Sequence, residues 1–199
     1  WKALKSFVQI GSSNEYGDIK PPQKEDSKER PISPYSLAKV AASQTLQMLH
    51  KVNDFPAIVV RIFLVYGPGQ GNERFIPQII EGCIEDREFK TSSGHQINDF
   101  TYVEDISEGL MDLMLCPEAI GEVVNLASGE PVQIRSIIEK VNKLVGKGTP
   151  VFGTLDRSEN NRNLYADTAK IKSLIKWEPK ITLSEGLQKT IDSYHDKGF

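Results

Sequence analysis

A tyrosine and a lysine stand four apart in SPYSLAK, Ser33–Lys39, where a Pro-punctuated loop gives way to a helical pattern. On a helix, positions i and i+4 share a face, with Cβ atoms about 5–6 Å apart. A neighbouring ammonium favours the phenolate form of a tyrosine, which suits Tyr35 to general acid or base chemistry. The pair alone is weak, because the first turn of any amphipathic helix offers the same spacing. A second stretch adds weight. GSSNEYG, Gly11–Gly17, follows an apolar run, and Ser12 lies 23 residues before Tyr35. Just past the carboxyl end of a parallel strand a residue lines the ligand crevice, where a serine hydroxyl hydrogen-bonds a substrate oxygen. The plainer reading is a Gly/Ser/Asn turn that caps a strand.

The elements that must position these residues are legible in outline. KSFVQIGSS reads as a buried strand and a tight turn, and residues 18–34, charged and Pro-rich, as a surface loop. From Tyr35 to about Val52, Leu37, Val40, Ala41, Leu46 and Leu49 recur at helical spacing. PAIVVRIFLVYG, between Pro56 and Gly67, is nearly continuous and β-branched, which predicts one strand buried on both faces. Strand, loop, helix, strand make one βαβ unit. Downstream, helices are expected over about 75–86, within FTYVEDISEGLMDLML, over QIRSIIEKVNKLVG with Gly146 as its stop, over ADTAKIKSLI, and after Thr182 or Ser184 as N-cap. Strands are expected near Phe89, in EVVNLAS and in TPVFGTL, and a strand or turn at the start of FTYVEDI, with a soft domain boundary near Gly67.

Composition excludes several classes. The chain is 199 residues long, 39% hydrophobic and 26% charged, with a net charge of −3 and its basic residues interspersed with acids, so no basic field invites nucleic acid or an anionic membrane. No apolar run reaches the roughly 18 residues of a membrane span. Cys83 and Cys116 have no metal-ligand spacing and read as reduced thiols of a cytoplasmic protein. His50, His95 and His195 suit no zinc site and are expected at the solvated surface. Trp177 is expected in the core. Glu104 and Asp105 are adjacent and point apart, so Asp105 is expected to cap a helix rather than to form a carboxylate pair.

The ordered set SSNEYG, SPYSLAK, RIFLVYGPGQ, GHQINDFTYVEDI, VVNLASGE and LIKWEPKITLSEGL spans nearly all of the chain. In that order it resembles the extended short-chain dehydrogenase/reductases of the NAD-dependent epimerase/dehydratase family, which act on nucleotide sugars. The resemblance implies an α/β fold: a Rossmann-like doubly wound parallel sheet, its N-terminal strands missing here, with a smaller C-terminal substrate-binding domain. Residues 1–67 would belong to the Rossmann domain and 68–199 mainly to the substrate domain, with about 98–128 returning to the sheet. It implies a catalytic Ser12–Tyr35–Lys39 triad, NAD or NADP as cofactor beside Gly11, Tyr35, Lys39 and Ile62, a nucleotide-diphosphate sugar as substrate, and a homodimer packed through the helix that starts at Tyr35.

Departures refine the expectation. Dehydratases of this family carry Asp-Glu directly after the catalytic hydroxyl residue; here Ser13 and Asn14 stand there, and neither serves as a carboxylate acid or base. GSSNEYG is most similar to the 4-keto-6-deoxy-sugar reductases, with 4-epimerases next, so 4-keto reduction is the leading expectation. A non-catalytic sugar-nucleotide-binding remnant is the reading from another class. Leu64 stands where the family often has Asn and Asn98 where it often has Arg, both positions that touch the substrate diphosphate; losing the arginine removes a charge-assisted contact. Arg157, or less aptly Arg162, is expected to supply that charge. The Gly-rich GPGQG does not fit a dinucleotide fingerprint, because Pro68 interrupts it and no acidic residue ends a second strand ~20 residues on. The chain is therefore expected to be the C-terminal two-thirds of an enzyme.

Overall fold

The computed structural model describes residues 3–155 and 163–195. Three parallel strands form the sheet beneath the site: β1 (Phe7–Ile10), β2 (Ala57–Ile62) and β6 (Val123–Leu126), in the order β1-β2-β6. Val8 pairs with Ile58 and Val60 with Val124, so β2 is central and Ile58, Val59 and Val60 are buried. Each such aliphatic side chain removed from water stabilises the fold by about 1.5–3 kcal/mol. β1 departs from the buried strand expected of it. It is an edge strand among the described residues, and Phe7 stays 40% exposed.

The run PAIVVRIFLVYG is not one strand. It breaks at Phe63, and β3 (Leu64–Tyr66) joins a second sheet, parallel to β5 (Ile97–Tyr102), which pairs antiparallel with β7 (Pro131–Gln133). Phe63 is 5% exposed and packs with Tyr16, Ala127 and Ala166, so the break is held by burial rather than by a turn residue. That is why apolar periodicity alone could not find it. A third pair, β4 (Glu88–Lys90) and β8 (Thr149–Val151), runs parallel. The strand in TPVFGTL thus covers only its first residues.

Helix α1 (Pro34–Asn53) starts at a reciprocal cap in which Ser33 and Ser36 hydrogen-bond each other's backbone N–H, with Pro34 in the first turn. Its apolar positions are not its buried ones. Ser36 and Ser43 are buried while Leu37 is 58% exposed, because the small serines let the helix lie close to the turn after β1 and to β2. The other helices are α2 (Phe75–Ile84), α3 (Val103–Leu115), α4 (Ile134–Val145, ended by Gly146), α5 (Ala169–Ile175) and α6 (Leu183–His195). Thr182, not Ser184, caps α6 through a reciprocal pair with Glu185. Asp105 does not cap α3; it accepts the backbone N–H groups of Lys180 and Ile181, tying α3 to the segment before α6.

Two main cores result. One gathers Ile58, Val60, Ile106, Leu113, Val124, Leu126, Ile171 and Trp177, so α3 and α5 both cover the β1-β2-β6 sheet. The other joins α2, α4 and α6 around Ile79, Ile80, Ile137, Ile138, Leu187 and Ile191. Cys83 and Cys116 are free. No described helix is long and apolar enough to cross a membrane.

Candidate active site

A cleft of about 820 Å³ opens where β1 and β2 end. It is lined by Gly11, Ser12, Ser13, Asn14, Tyr35, Lys39, Ile62, Leu64 and Asn98. Every candidate residue from the sequence that lies within the described residues therefore meets at one place; Arg157 and Arg162 lie outside them. The volume suits a sizeable organic ligand. The Lys39 ammonium is 5.8 Å from the Tyr35 ring centroid and donates to the Ile10 carbonyl at 2.8 Å. Tyr35 is 55% exposed, at the mouth of the cleft. Ser12 is buried, and its hydroxyl accepts the Asn14 N–H at 3.2 Å as the cap of a 3-10 turn, Ser13–Tyr16. The hydroxyl proton stays available to a ligand oxygen.

Beneath the cleft lies a buried polar network. Glu15, fully buried, accepts the Ser12 N–H at 2.8 Å, the Ser43 hydroxyl at 2.9 Å and Arg61 Nε at 3.0 Å. Arg61, equally buried, also donates to Glu29 at 2.5 Å, and its guanidinium carbon lies 4.6 Å from the Tyr16 ring centroid. Burial alone would lower Arg61, but Tyr16, Glu15 and Glu29 hold its ionisation above the ordinary arginine range. Burial pushes Tyr16 up to about 12, against the pull of Arg61, so the phenol stays neutral and donates to Asn125 Oδ1 at 2.6 Å. Gly17, at φ 63°, closes the turn against the Arg30 carbonyl, which a Cβ would strike at 1.6 Å. Sequence reasoning missed this network. Its signal was an arginine within VVRIF, since a charge inside a doubly buried strand must be paired.

The far wall is set by Asp99 next to Asn98. Its buried carboxylate accepts the Ser128 and Gly129 N–H groups, the Ser128 hydroxyl and the Ala166 N–H. This holds β5 against the β6–β7 turn and places Asn98 beside Leu164. Gln70, Glu73 and Arg74 from the loop before α2, and Phe75 at its first position, also missed, complete the wall. A smaller cavity of about 170 Å³, lined in part by Gln78, Thr91, Gln96 and Ile138, shares Leu64, Phe75, Asn98 and Phe100 with the cleft. His95 is exposed as expected, but His50 is half-buried and its Nδ1 lies 3.0 Å from the Phe55 carbonyl, because it closes the end of α1. His195 ends α6, and its side chain lies outside the described residues. No cluster of potential metal ligands occurs among the described residues.

A family model described as GDP-mannose 4,6 dehydratase matches residues 2–190. The chain belongs to that family. Its curated relatives include nucleotide-sugar epimerases and dehydratases. The UDP-glucuronate 4-epimerase of Thermodesulfobacterium geofontis is 33% identical over 193 residues, covering 95% of this chain and 59% of that protein. Among solved structures, an epimerase from Methanothermobacter thermautotrophicus superposes with a TM-score of 0.90 at 27% identity, over 98% of this chain and 60% of the other. The UDP-glucuronic acid 4-epimerase of Bacillus cereus, in complex with UDP-glucuronic acid and NAD, superposes with a TM-score of 0.87 at 30% identity, over 96% and 62%. The Rossmann-like α/β class expected from the sequence is the class of these structures. The chain thus spans about 60% of the length of the relatives it matches.

Proposed function

We propose that this chain carries the proton-transfer half of a nucleotide-sugar enzyme that oxidises and re-reduces C4, a 4-epimerase, with NAD or NADP as cofactor. The observation that carries the reading is the meeting of Ser12, Tyr35 and Lys39 in one cleft at the carboxyl ends of parallel strands. The 4-epimerases among its relatives support the C4 assignment. Ser13 and Asn14 supply no carboxylate acid or base, which argues against dehydration.

The donor set fits a nicotinamide riboside, because an ammonium, a phenol and a hydroxyl face one space that a bulky ring can enter. Nicotinamide, when bound, supplies the acceptor and donor of hydride. Tyr35 takes the proton of the C4 hydroxyl and later returns it. Ser12 donates its hydroxyl proton to the same oxygen and holds it towards Tyr35. Lys39 has three N–H donors, one of them on Ile10. The others would be free to hold the cofactor's ribose. Leu64 and Asn98 line the path proposed for the sugar diphosphate, and the sequence offers Arg157 as its charged partner. A homodimer through α1 belongs to the same proposal, since Leu37, Met48 and Val52 share one exposed face.

A second reading, net reduction of a 4-keto sugar, is favoured by the stretch Gly11–Gly17. Incubation with a UDP-hexuronate and with a nucleotide-linked 4-keto-6-deoxy sugar, each with limiting dinucleotide, separates the two. Epimer formed without net change in nicotinamide absorbance supports the epimerase. Stoichiometric loss of NADPH supports the reductase, and no turnover of either sugar by a protein of the relatives' full length that contains this chain overturns both.

A further inference from the structure

We propose that Glu15 is a positioning residue whose buried carboxylate sets where Ser12 stands relative to the helix bearing Tyr35 and Lys39; its catalytic consequence rests on the function proposed above. Its donors come from three elements: the Ser12 N–H in the turn, the Ser43 hydroxyl on α1 and Arg61 Nε on β2. Ser43 lies one helical turn beyond Lys39, on the same face. Lys39 in turn binds the Ile10 carbonyl. The two links bracket Gly11 and Ser12, one from each side, and both end on α1. Gly11 is part of the device, because the Glu15 carboxylate occupies the space of its Cβ, 2.6 Å from Oε1. Charge-assisted hydrogen bonds are shorter and stronger than neutral ones, and Arg61, itself held by Glu29, keeps Glu15 from turning towards the cleft.

What Glu15 positions is the Ser12 hydroxyl proton, left unspent by the cap with Asn14. A misplacement near 1 Å of a group that orients substrate costs up to about a hundred-fold in rate. Glu15→Gln keeps the volume and one carbonyl acceptor but removes the charge on which Arg61 and Ser43 converge. Three readouts test the role: amide hydrogen exchange at Ser12, kcat against KM for the nucleotide sugar, and the same substitution in a Ser12→Ala background. The expected result is faster exchange at Ser12, a fall in kcat of about tenfold or more with KM within about two-fold, and almost no further loss when Ser12 is already alanine.

Unchanged exchange at Ser12, or an equal loss of kcat in both backgrounds, overturns the proposal. If Glu15→Gln does not fold, Ser43→Ala removes one of the three donors from an otherwise intact site and must show the same pattern at smaller amplitude. A parent protein that turns over no nucleotide sugar sinks the functional reading. The exchange measurement then still decides whether Glu15 holds Ser12.

Discussion

Lys39 Nζ donates to the carbonyl of Ile10 at 2.8 Å, so the helix bearing the candidate acid is tied to the last residue of β1. The cation is thereby fixed at the base of the cleft while Tyr35, one turn earlier, reaches its mouth. A half-buried anchor and an exposed tip on one helix face separate the two residues: Lys39 is held against β1, and Tyr35 stands at the cleft mouth.

Tyr35→Phe removes the phenolic hydroxyl alone. Turnover is expected to fall by about 10²- to 10⁴-fold, with stability within about 0.5 kcal/mol of the parent because the side chain is more than half exposed. Steady-state kinetics beside thermal melting checks both. Turnover within a few-fold of the parent would remove Tyr35 from the mechanism.

Arg61→Met leaves Glu15 charged, buried and without its cation. Breaking such a pair from one side costs about 3–5 kcal/mol, read from the shift in the urea midpoint at constant slope. A cost below about 1 kcal/mol would mean that the pair behaves as a surface pair, contrary to its zero exposure.

Gly11→Ala introduces one methyl group where Glu15 Oε1 is 2.6 Å and the Val60 carbonyl 3.2 Å away. Overpacking of this kind costs about 1–3 kcal/mol. Because the atom displaced is the Glu15 carboxylate, turnover should fall further than stability. Wild-type melting and turnover in this variant would mean that the turn has room that its geometry denies.

Burial raises Glu25 above its ordinary carboxylate value of 4.5, although the Asn125 N–H bonded to it works the other way. A carboxyl raised on folding binds its proton more tightly in the folded chain. Its stabilising contribution is complete below the unfolded value and is lost as the pH rises through the folded one. Glu25→Gln keeps an acceptor for Asn125 without the charge. Its stability relative to the parent should therefore increase as the pH is raised from about 4 towards neutrality. Denaturation midpoints of the two proteins across that range decide it; a constant difference would mean that Glu25 titrates alike in both states.

The sequence by itself determined the local chemistry and the order of the elements. Ser12, Tyr35 and Lys39 could be named because a helix repeats every 3.6 residues and a strand followed by a Gly-Ser turn places its next side chain at a crevice. The central strand β2 was legible from its β-branched run, and α4 with its Gly146 stop from periodicity and glycine. The tertiary structure alone decided the rest. The change of sheet at Phe63 depends on Tyr16 and Ala166, far away in the chain, and carries no local signal. The exposed Leu37 and buried Ser43 reverse the polarity that α1 shows as an isolated pattern, because what it packs against is a polar network rather than an apolar core. Asp105 reads as a helix cap and serves instead residues 180 and 181. Glu15, two residues before a glycine, looks like a turn residue until Arg61 arrives beneath it from 46 positions away. Pairing between distant charges costs chain entropy that only the assembled core offsets, so such partners become visible only once the chain has folded.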